Sequence, residues 1–230
     1  MKKIILLILT INASLLASAQ YGEFSVTGGL SLMSAQYQSR KAPMGGGGSI
    51  NLFAGKNHAI VSMGLGYDYN PRIEHYLLSR TGLQTLKTSI GAGGYAFLGN
   101  TTLSVTGEFL YLHSNVPSQD VIMYQNEWYR LQDIKGHGLG LQARLGLLIP
   151  FGSESNWGLK IQSTAGGLMK NTNSLKYQTT IQTCCGTTTR TMRREFFPNP
   201  VMMPRALFTF EIGIGFKFGS ENKNDRWSSF

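Results

Sequence analysis

The sequence predicts an all-β fold, an antiparallel up-and-down barrel of eight strands. The clearest strand covers residues 207–218, where every even position from Phe208 to Phe218 is apolar and the odd positions from Thr209 on are small or polar. Two-residue alternation over such a length is typical of a β-strand with one apolar and one polar face. Seven earlier segments alternate in the same way, and the links between the eight segments are alternately long and short.

The predicted strands follow one another at residues 23–34, 49–55, 59–69, 86–98, 102–113, 138–151, 157–170 and 207–218. All but the second are long enough for a tilted strand that crosses a bilayer, which needs about 9–11 residues. The second strand reaches this length if it begins within the glycine run that precedes Ser49. The fourth strand, with Ile90 and Leu98 on its apolar face, alternates least cleanly.

Short connections follow the second, fourth and sixth strands, and the other four links are long. This rhythm is typical of a transmembrane barrel with three short periplasmic turns and four long outer loops. The link 70–85 contains Pro71 and is expected to hold a helical turn. In the longest link, 171–204, the Thr-rich segments 176–183 and 187–195 are expected to pair as a protruding hairpin.

Cys184 and Cys185 are the two cysteines of the chain. Neighbouring cysteines cannot connect distant parts of the chain, so they form either a strained vicinal disulfide or two free thiols at the turn of this hairpin. Their spacing does not suggest a zinc site.

Residues 1–19 are expected to be a secretory signal peptide that is cleaved before Gln20. Lys2 and Lys3 precede an apolar run, and small residues at 17–19 suit the cleavage site. Residues 20–218 then form the barrel domain, and residues 219–230 are expected to be a short polar periplasmic tail. No later stretch is apolar over the ~18 residues that suggest a transmembrane helix.

The formal charge is +9, and it falls to +7 when Lys2 and Lys3 leave with the signal peptide. Export and the scattered placement of the basic residues argue against a nucleic-acid partner. Membrane lipid and the phosphates of lipopolysaccharide are the expected counter-charges.

The polar faces of the strands are expected to line the inside of the barrel. They are rich in Gly, Ser and Thr, and the interior of an eight-stranded barrel has room only for modest side chains. Because unpaired buried charges are costly, we expect Glu108 and Glu211 to pair with Arg144, Lys160 or Lys217. The predicted interior polar network comprises Asp68, Lys87, Glu108, Arg144, Lys160, Glu211 and Lys217.

Aromatic residues lie near the ends of the apolar faces, as expected of the two girdles that meet the membrane interfaces. The predicted girdle residues are Tyr67, Tyr69 and Tyr111 at the outer rim and Phe151, Trp157, Phe216 and Phe218 at the inner rim. In a soluble lipocalin-type barrel, the competing fold, these rings would block the mouth and the base.

The last strand resembles the C-terminal assembly signal of outer-membrane barrels, with Glu211, Gly213, Phe216 and Phe218 at the matching positions. In that family the chain usually ends at the final aromatic residue, whereas here residues 219–230 follow. The architecture as a whole resembles the small eight-stranded barrels of the OmpA-domain and OmpX type. This resemblance implies a location in the cell outer membrane and insertion by the barrel-assembly machinery.

No catalytic, cofactor-binding or metal-binding residues are predicted. Lipid A deacylases carry a His and a Ser two residues apart on one outer face, whereas His113 and Ser114 are adjacent and point to opposite faces. The histidines at 58, 75 and 137 lie in or beside links and are expected to be solvated.

The sequence therefore favours a non-enzymatic, monomeric outer-membrane barrel with a structural or surface-interacting role. A candidate anion-binding loop contains Lys176, Arg190, Arg193 and Arg194, because guanidinium groups suit phosphate recognition. The alternatives are a narrow pore, a lipid A-modifying enzyme and an exported lipocalin-like ligand-binding barrel. The specific ligand or protein partner is not legible in the sequence.

Overall fold

A computed structural model describes residues 19–35, 44–75, 78–116, 119–124, 127–131, 134–174, 176–183, 186–193 and 204–219. Most of the predicted signal peptide, the tail after Gly219, both cysteines and Arg194 lie outside the described residues.

Twelve strands are described, and eight of them close into a barrel. The barrel strands are β1 (Tyr21–Ala35), β2 (Met44–Lys56), β3 (Ala59–His75), β4 (Leu78–Leu98), β5 (Thr101–Val116), β8 (Ile134–Pro150), β9 (Trp157–Ser174) and β12 (Pro204–Phe218). Each pairs antiparallel with its neighbours, and β12 closes the barrel against β1. The predicted eight-stranded antiparallel barrel is confirmed.

Three tight turns join β2 to β3, β4 to β5 and β8 to β9, and they define the turn end of the barrel. Asn57 and His58 in the first of these turns have positive φ, and so has Gly99 in the second turn. The opposite end, where the longer links emerge, is called the loop end below.

The predicted helical turn between the third and fourth strands is wrong. β3 continues to His75 and β4 begins at Leu78, with His75 paired to Leu78 across the hairpin. Pro71 falls where the register shifts between Asn70 and Ile73, and such an irregularity is where a strand tolerates a residue without an N–H. β2 begins at Met44, immediately before the glycine run, and contains all of that run.

A second sheet forms from the two longest links. It contains β6 (Gln119–Tyr124), β7 (Glu127–Leu131), β10 (Lys176–Thr183) and β11 (Gly186–Arg193), in the order β11-β10-β7-β6. β10 and β11 pair as a hairpin with Thr183 opposite Gly186, and β10 also pairs with β7 of the other link. The pairing of β6, β7 and β10 was not foreseen from the sequence.

The polarity of the barrel is inverted with respect to a soluble protein. Glu108 is 2% exposed and faces the lumen, whereas its neighbour Phe109 is 71% exposed on the outer face. The same alternation continues around the barrel, with buried Ser, Thr and charged residues inside and exposed aliphatic and aromatic residues outside. This arrangement does not fit a lipocalin-like barrel, which buries its apolar face.

Among the described residues there is no helix that has both the length and the apolar character to span a bilayer.

We predict that cysteines placed at Val26 and Ile214 will form a disulfide in a chain that lacks Cys184 and Cys185. These two residues are register partners across the β1–β12 seam, and both are exposed on the outer face. Directly opposed residues have Cα atoms about 4.5–5.5 Å apart, within the disulfide range of about 4.4–6.8 Å. Gel mobility of the denatured, unreduced chain reports the cross-link.

The matched control pairs Val26 with Ile212, a diagonal position about 7–8 Å away. Cross-linking of the control pair in preference to the Val26–Ile214 pair would contradict the closing register.

Candidate functional site

Arg144 of β8 crosses the centre of the lumen and ties four strands together. Its Nη2 lies 2.9 Å from Glu108 Oε2 of β5 and donates a hydrogen bond of 3.2 Å to Ser89 Oγ of β4. Its Nη1 donates to Asn51 Oδ1 of β2. Arg144 and Glu108 are both almost fully buried, so each charge is compensated by the other.

The Glu108 carboxylate accepts further hydrogen bonds that fix its position. Thr106 and Ser62 donate their hydroxyls to Oε1 at 2.9 and 2.8 Å, and Gln142 donates its amide to Oε2 at 2.6 Å. One ion pair therefore connects residues from β3, β5 and β8 in addition to the contacts of Arg144.

Two inward-facing glycines make room for the long basic side chains. A Cβ atom at Gly64 would lie 2.7 Å from Arg144 Nη2, and one at Gly146 would lie 2.9 Å from Lys160 Nζ. Glycine is therefore needed at these inward-facing positions because a larger residue would collide with the basic side chains in the lumen.

Glu211 of β12 is held by neutral donors. Thr27 and Ser49 each donate a hydroxyl to Oε2 at 2.5 Å, and Gln162 Nε2 donates at 2.6 Å. Within the described part of the chain no basic side chain lies at ion-pair distance from Glu211. The expectation that Glu211 pairs with Arg144, Lys160 or Lys217 is therefore wrong, because hydroxyls and an amide solvate this carboxylate instead.

Two other charged pairs among the described residues lie on either side of this centre. Lys87 Nζ is 2.7 Å from Asp68 Oδ2 towards the loop end, and Lys160 Nζ is 2.5 Å from Glu23 Oε1 towards the turn end. The sequence analysis missed Glu23. Its odd position in β1 gives it the same inward face as Ser25 and Thr27, so the alternation carried the signal.

An aromatic layer, also missed, fills the lumen at the turn end. Its buried members are Tyr21, Phe53, Ile60, Tyr95 and Phe97. The rings of Tyr21 and Tyr95 stack with centroids 4.7 Å apart, and the Tyr21 hydroxyl donates to Glu23 at 2.5 Å. The layer therefore packs directly against the Glu23–Lys160 pair.

Cations contact this aromatic layer from both sides. Lys160 Nζ lies 4.8 Å from the centroid of the Phe53 ring, and Lys217 Nζ lies 4.6 Å from that of Phe97. These distances suit cation–π attraction. Lys217 is half-buried at the turn end, so the structure places it against the layer and away from Glu108 and Glu211.

Little space is left in the middle of the lumen. A cavity of about 20 Å³ lies among Ser49, Gly64, Lys87, Arg144 and Glu211. A volume of this size holds about one water molecule. The geometry suits a packed polar core better than a passage for solutes.

The predicted girdle residues lie on the outer face at two levels. Tyr67, Tyr69 and Tyr111 are exposed towards the loop end. Phe151 and Trp157 are exposed at the turn end, where the Trp157 and Phe216 rings lie 4.8 Å apart and Phe216 stacks on Phe218. Tyr67 and Tyr69 lie well inside β3, so this strand continues past the girdle at the loop end instead of ending there.

Three polar rings cluster on the outer face near the loop end. His113 of β5 is directly opposite His137 of β8, and their Nδ1 atoms lie 3.2 Å apart. The Tyr111 hydroxyl lies 2.6 Å from His137 Nδ1. The sequence analysis placed His137 beside a link, but it belongs to β8, and its ring packs against those of His113 and Tyr111.

The candidate anion-binding residues lie partly within the described chain. Lys176 begins β10 and is directly opposite Arg193 at the end of β11, and Arg190 pairs with Thr179 in the same hairpin. Three of the four predicted basic residues therefore belong to one two-stranded unit. Within the described ranges, no three His, Cys, Asp or Glu side chains converge as a metal site requires.

The fold resembles solved outer-membrane proteins. The major outer membrane protein of Thermus thermophilus superposes with a TM-score of 0.53 at 12% identity, over 86% of this chain and 99% of that one. Neisserial surface protein A superposes with a TM-score of 0.50 at 11% identity, over 87% of this chain and 98% of that one. Neither protein-family models nor curated protein sequences gave a match. The chain therefore has the fold of the small eight-stranded outer-membrane β-barrels.

Proposed function

We propose that this protein resides in the outer membrane as a closed, non-catalytic barrel that anchors a surface-exposed sheet. The observation that carries the proposal is the inverted polarity of the barrel wall. Exposed apolar side chains surround a lumen of buried charges, and only a non-aqueous surrounding makes that arrangement favourable.

The packed lumen favours a structural core over a pore. The Arg144–Glu108 pair and the Glu211 cluster fill its centre, two further ion pairs lie on either side of them, and the aromatic layer of Tyr21, Phe53 and Tyr95 covers its turn end. The strands of this core are also tied across the barrel by Arg144. The core gives a rigid support for the parts of the chain beyond the membrane.

The surface-interacting role rests on the second sheet. Strands β6, β7, β10 and β11 come from two different links and pair with one another, which builds a platform beyond the barrel wall. Lys176 and Arg193, which are register partners, give one face of this platform two adjacent basic positions that suit the phosphates of lipopolysaccharide or an acidic partner, and Arg190 lies on the other face.

The last strand supports insertion by the barrel-assembly machinery. Glu211 faces the lumen, and Phe216 and Phe218 lie at the turn-end girdle. Gly213 lies between them and pairs with Thr27 across the closing seam. The assembly signal and the final seam of the barrel are thus the same residues.

We predict that Ile212→Arg will lower the free energy of unfolding in lipid vesicles by about 2–4 kcal/mol, the cost of a basic residue at the middle of the lipid face. Ile212 is exposed at the centre of β12, so the same change on a soluble barrel would cost almost nothing. Glu154→Arg in the exposed turn between β8 and β9 is the matched control and should stay within about 0.5 kcal/mol of the wild type. Urea titration of vesicle-inserted protein measures both, and equal stability of the two variants would exclude a lipid-facing β12.

We predict that Glu108→Gln will destabilise the barrel by about 3–5 kcal/mol, because it leaves the Arg144 guanidinium buried without its counter-charge. Glu154→Gln removes an exposed carboxylate and serves as the control, with a change of about 0.5 kcal/mol or less. Denaturant unfolding followed by tryptophan fluorescence reports both values. A Glu108→Gln barrel as stable as the control would show that the pair is hydrated and the lumen open.

We predict that the loop end faces the cell exterior. In a chain without Cys184 and Cys185, a cysteine at Thr187 should react with a membrane-impermeant maleimide on intact cells. A cysteine at the exposed Lys56, the last residue of β2 before the turn to β3, should react only after the outer membrane is permeabilised. The reverse labelling pattern would invert the topology and remove the surface role of the second sheet.

A further inference from the structure

The outer face of the barrel carries an apolar groove of about 560 Å³ across β3, β4, β5, β8 and β9. The residues that shape it on the outer face include Met63, Thr88, Ile90, Phe109, Leu139 and Met169. Its walls are large exposed side chains, with Phe109 and Met169 71% and 76% exposed, and Thr88 forms part of its floor.

A bulge in the sheet produces one wall of this groove. Leu139 pairs with Lys170 and Gly140 pairs with Leu168, so Met169 is an extra residue that has no partner in the β8–β9 register. A bulge bends the strand and redirects a side chain. Here the extra residue Met169 is 76% exposed and lines the groove together with Gly140.

The groove leads directly to the cluster of His113, His137 and Tyr111. Tyr111 itself lines the groove, and His113 lies two residues further along the same face of β5. Leu139 also lines it, and His137 precedes Leu139 by two residues on the same face of β8. The apolar groove thus ends at three polar rings, which lie at the level of the loop-end girdle.

The three rings bring hydrogen-bond donors together on an otherwise apolar surface. Each imidazole carries at least one N–H in any tautomer, and the phenol carries an O–H. His137 Nδ1 lies within 2.6 Å of the Tyr111 hydroxyl and 3.2 Å of His113 Nδ1. The cluster therefore gathers three polar rings within hydrogen-bonding distance of one another.

We propose that this face binds one phosphate-bearing lipid, with an acyl chain in the groove and the phosphate oxygens against His113, His137 and Tyr111. The inference rests on the proposed membrane location, since a groove in a lipid-facing wall is filled by hydrocarbon. The depth in the membrane fixes how the ligand lies in the site. Its acyl chain lies on the apolar part of the wall, nearer the middle of the membrane than the loop-end girdle, and its phosphate lies at the level of that girdle, where headgroups are found.

The test compares ligands that separate the two halves of the site. The barrel in a non-ionic detergent is titrated with phosphatidic acid, with diacylglycerol of the same acyl chains and with inorganic phosphate, and bound ligand is counted by native mass spectrometry. Wild-type protein should bind phosphatidic acid about tenfold more tightly than diacylglycerol, as expected for hydrogen bonds to a charged group. Inorganic phosphate alone should bind weakly, and tight binding of it would overturn a lipid site.

Variants then assign each half to its residues. The double substitution His113→Ala with His137→Ala should abolish the preference for phosphatidic acid, whereas His58→Asn, at the other end of the barrel, should keep it. Thr88→Trp fills the groove and should weaken the binding of phosphatidic acid and of diacylglycerol by a similar factor, so the preference for phosphatidic acid should be retained. An unchanged preference in the double variant overturns the proposal, as does a preference that appears only with added Zn²⁺, which would make the cluster a metal site.

Heat-modifiable gel mobility of each variant shows that the barrel is folded before the titration. A folded barrel that inserts into vesicles but has no phosphate preference would refute the lipid site alone. Failure of the wild type to insert would instead refute the membrane location on which the site rests.

Discussion

A strand edge inside hydrocarbon has no water to satisfy its N–H and C=O groups, so β1 has to pair with β12. Much of the structure follows from this closure. Eight strands enclose a lumen just wide enough for side chains, so the side chains that point inward must fill it and compensate one another's charge. Arg144 satisfies both demands, since it fills the centre and contacts Asn51, Ser89 and Glu108 from three other strands.

The alternation of residue types was enough to predict the eight barrel strands, their order and their two faces. It could not predict how far the strands extend, because β3 and β4 continue as a hairpin beyond the segments that alternate, and Pro71 interrupts the pattern there. The pairing of β7 with β10 also escaped prediction. It joins two links that are distant in sequence, and only the closed barrel brings them side by side.

Within the lumen, the alternation predicted most of the inward-facing charges, though not Glu23, but it did not predict which partners they take. Lys160 pairs with Glu23 because both lie near the turn end, and that depth depends on the stagger of β9 against β12 and β1. Glu211 is solvated by Thr27, Ser49 and Gln162 for the same reason. The aromatic layer was not predicted because its rings, such as Phe53, lie on strand faces whose other residues are mostly small or polar.

The length of β4 has a consequence for what approaches the cell. Its 21 residues span about 70 Å along the strand, at ~3.3 Å per residue. With a tilt of about 40°, this gives a height near 50 Å, about twice the ~25 Å apolar band of an outer-membrane barrel. At the proposed membrane location, the wall therefore reaches well past the lipid, and its β3–β4 hairpin projects as paired strands rather than as an unpaired loop.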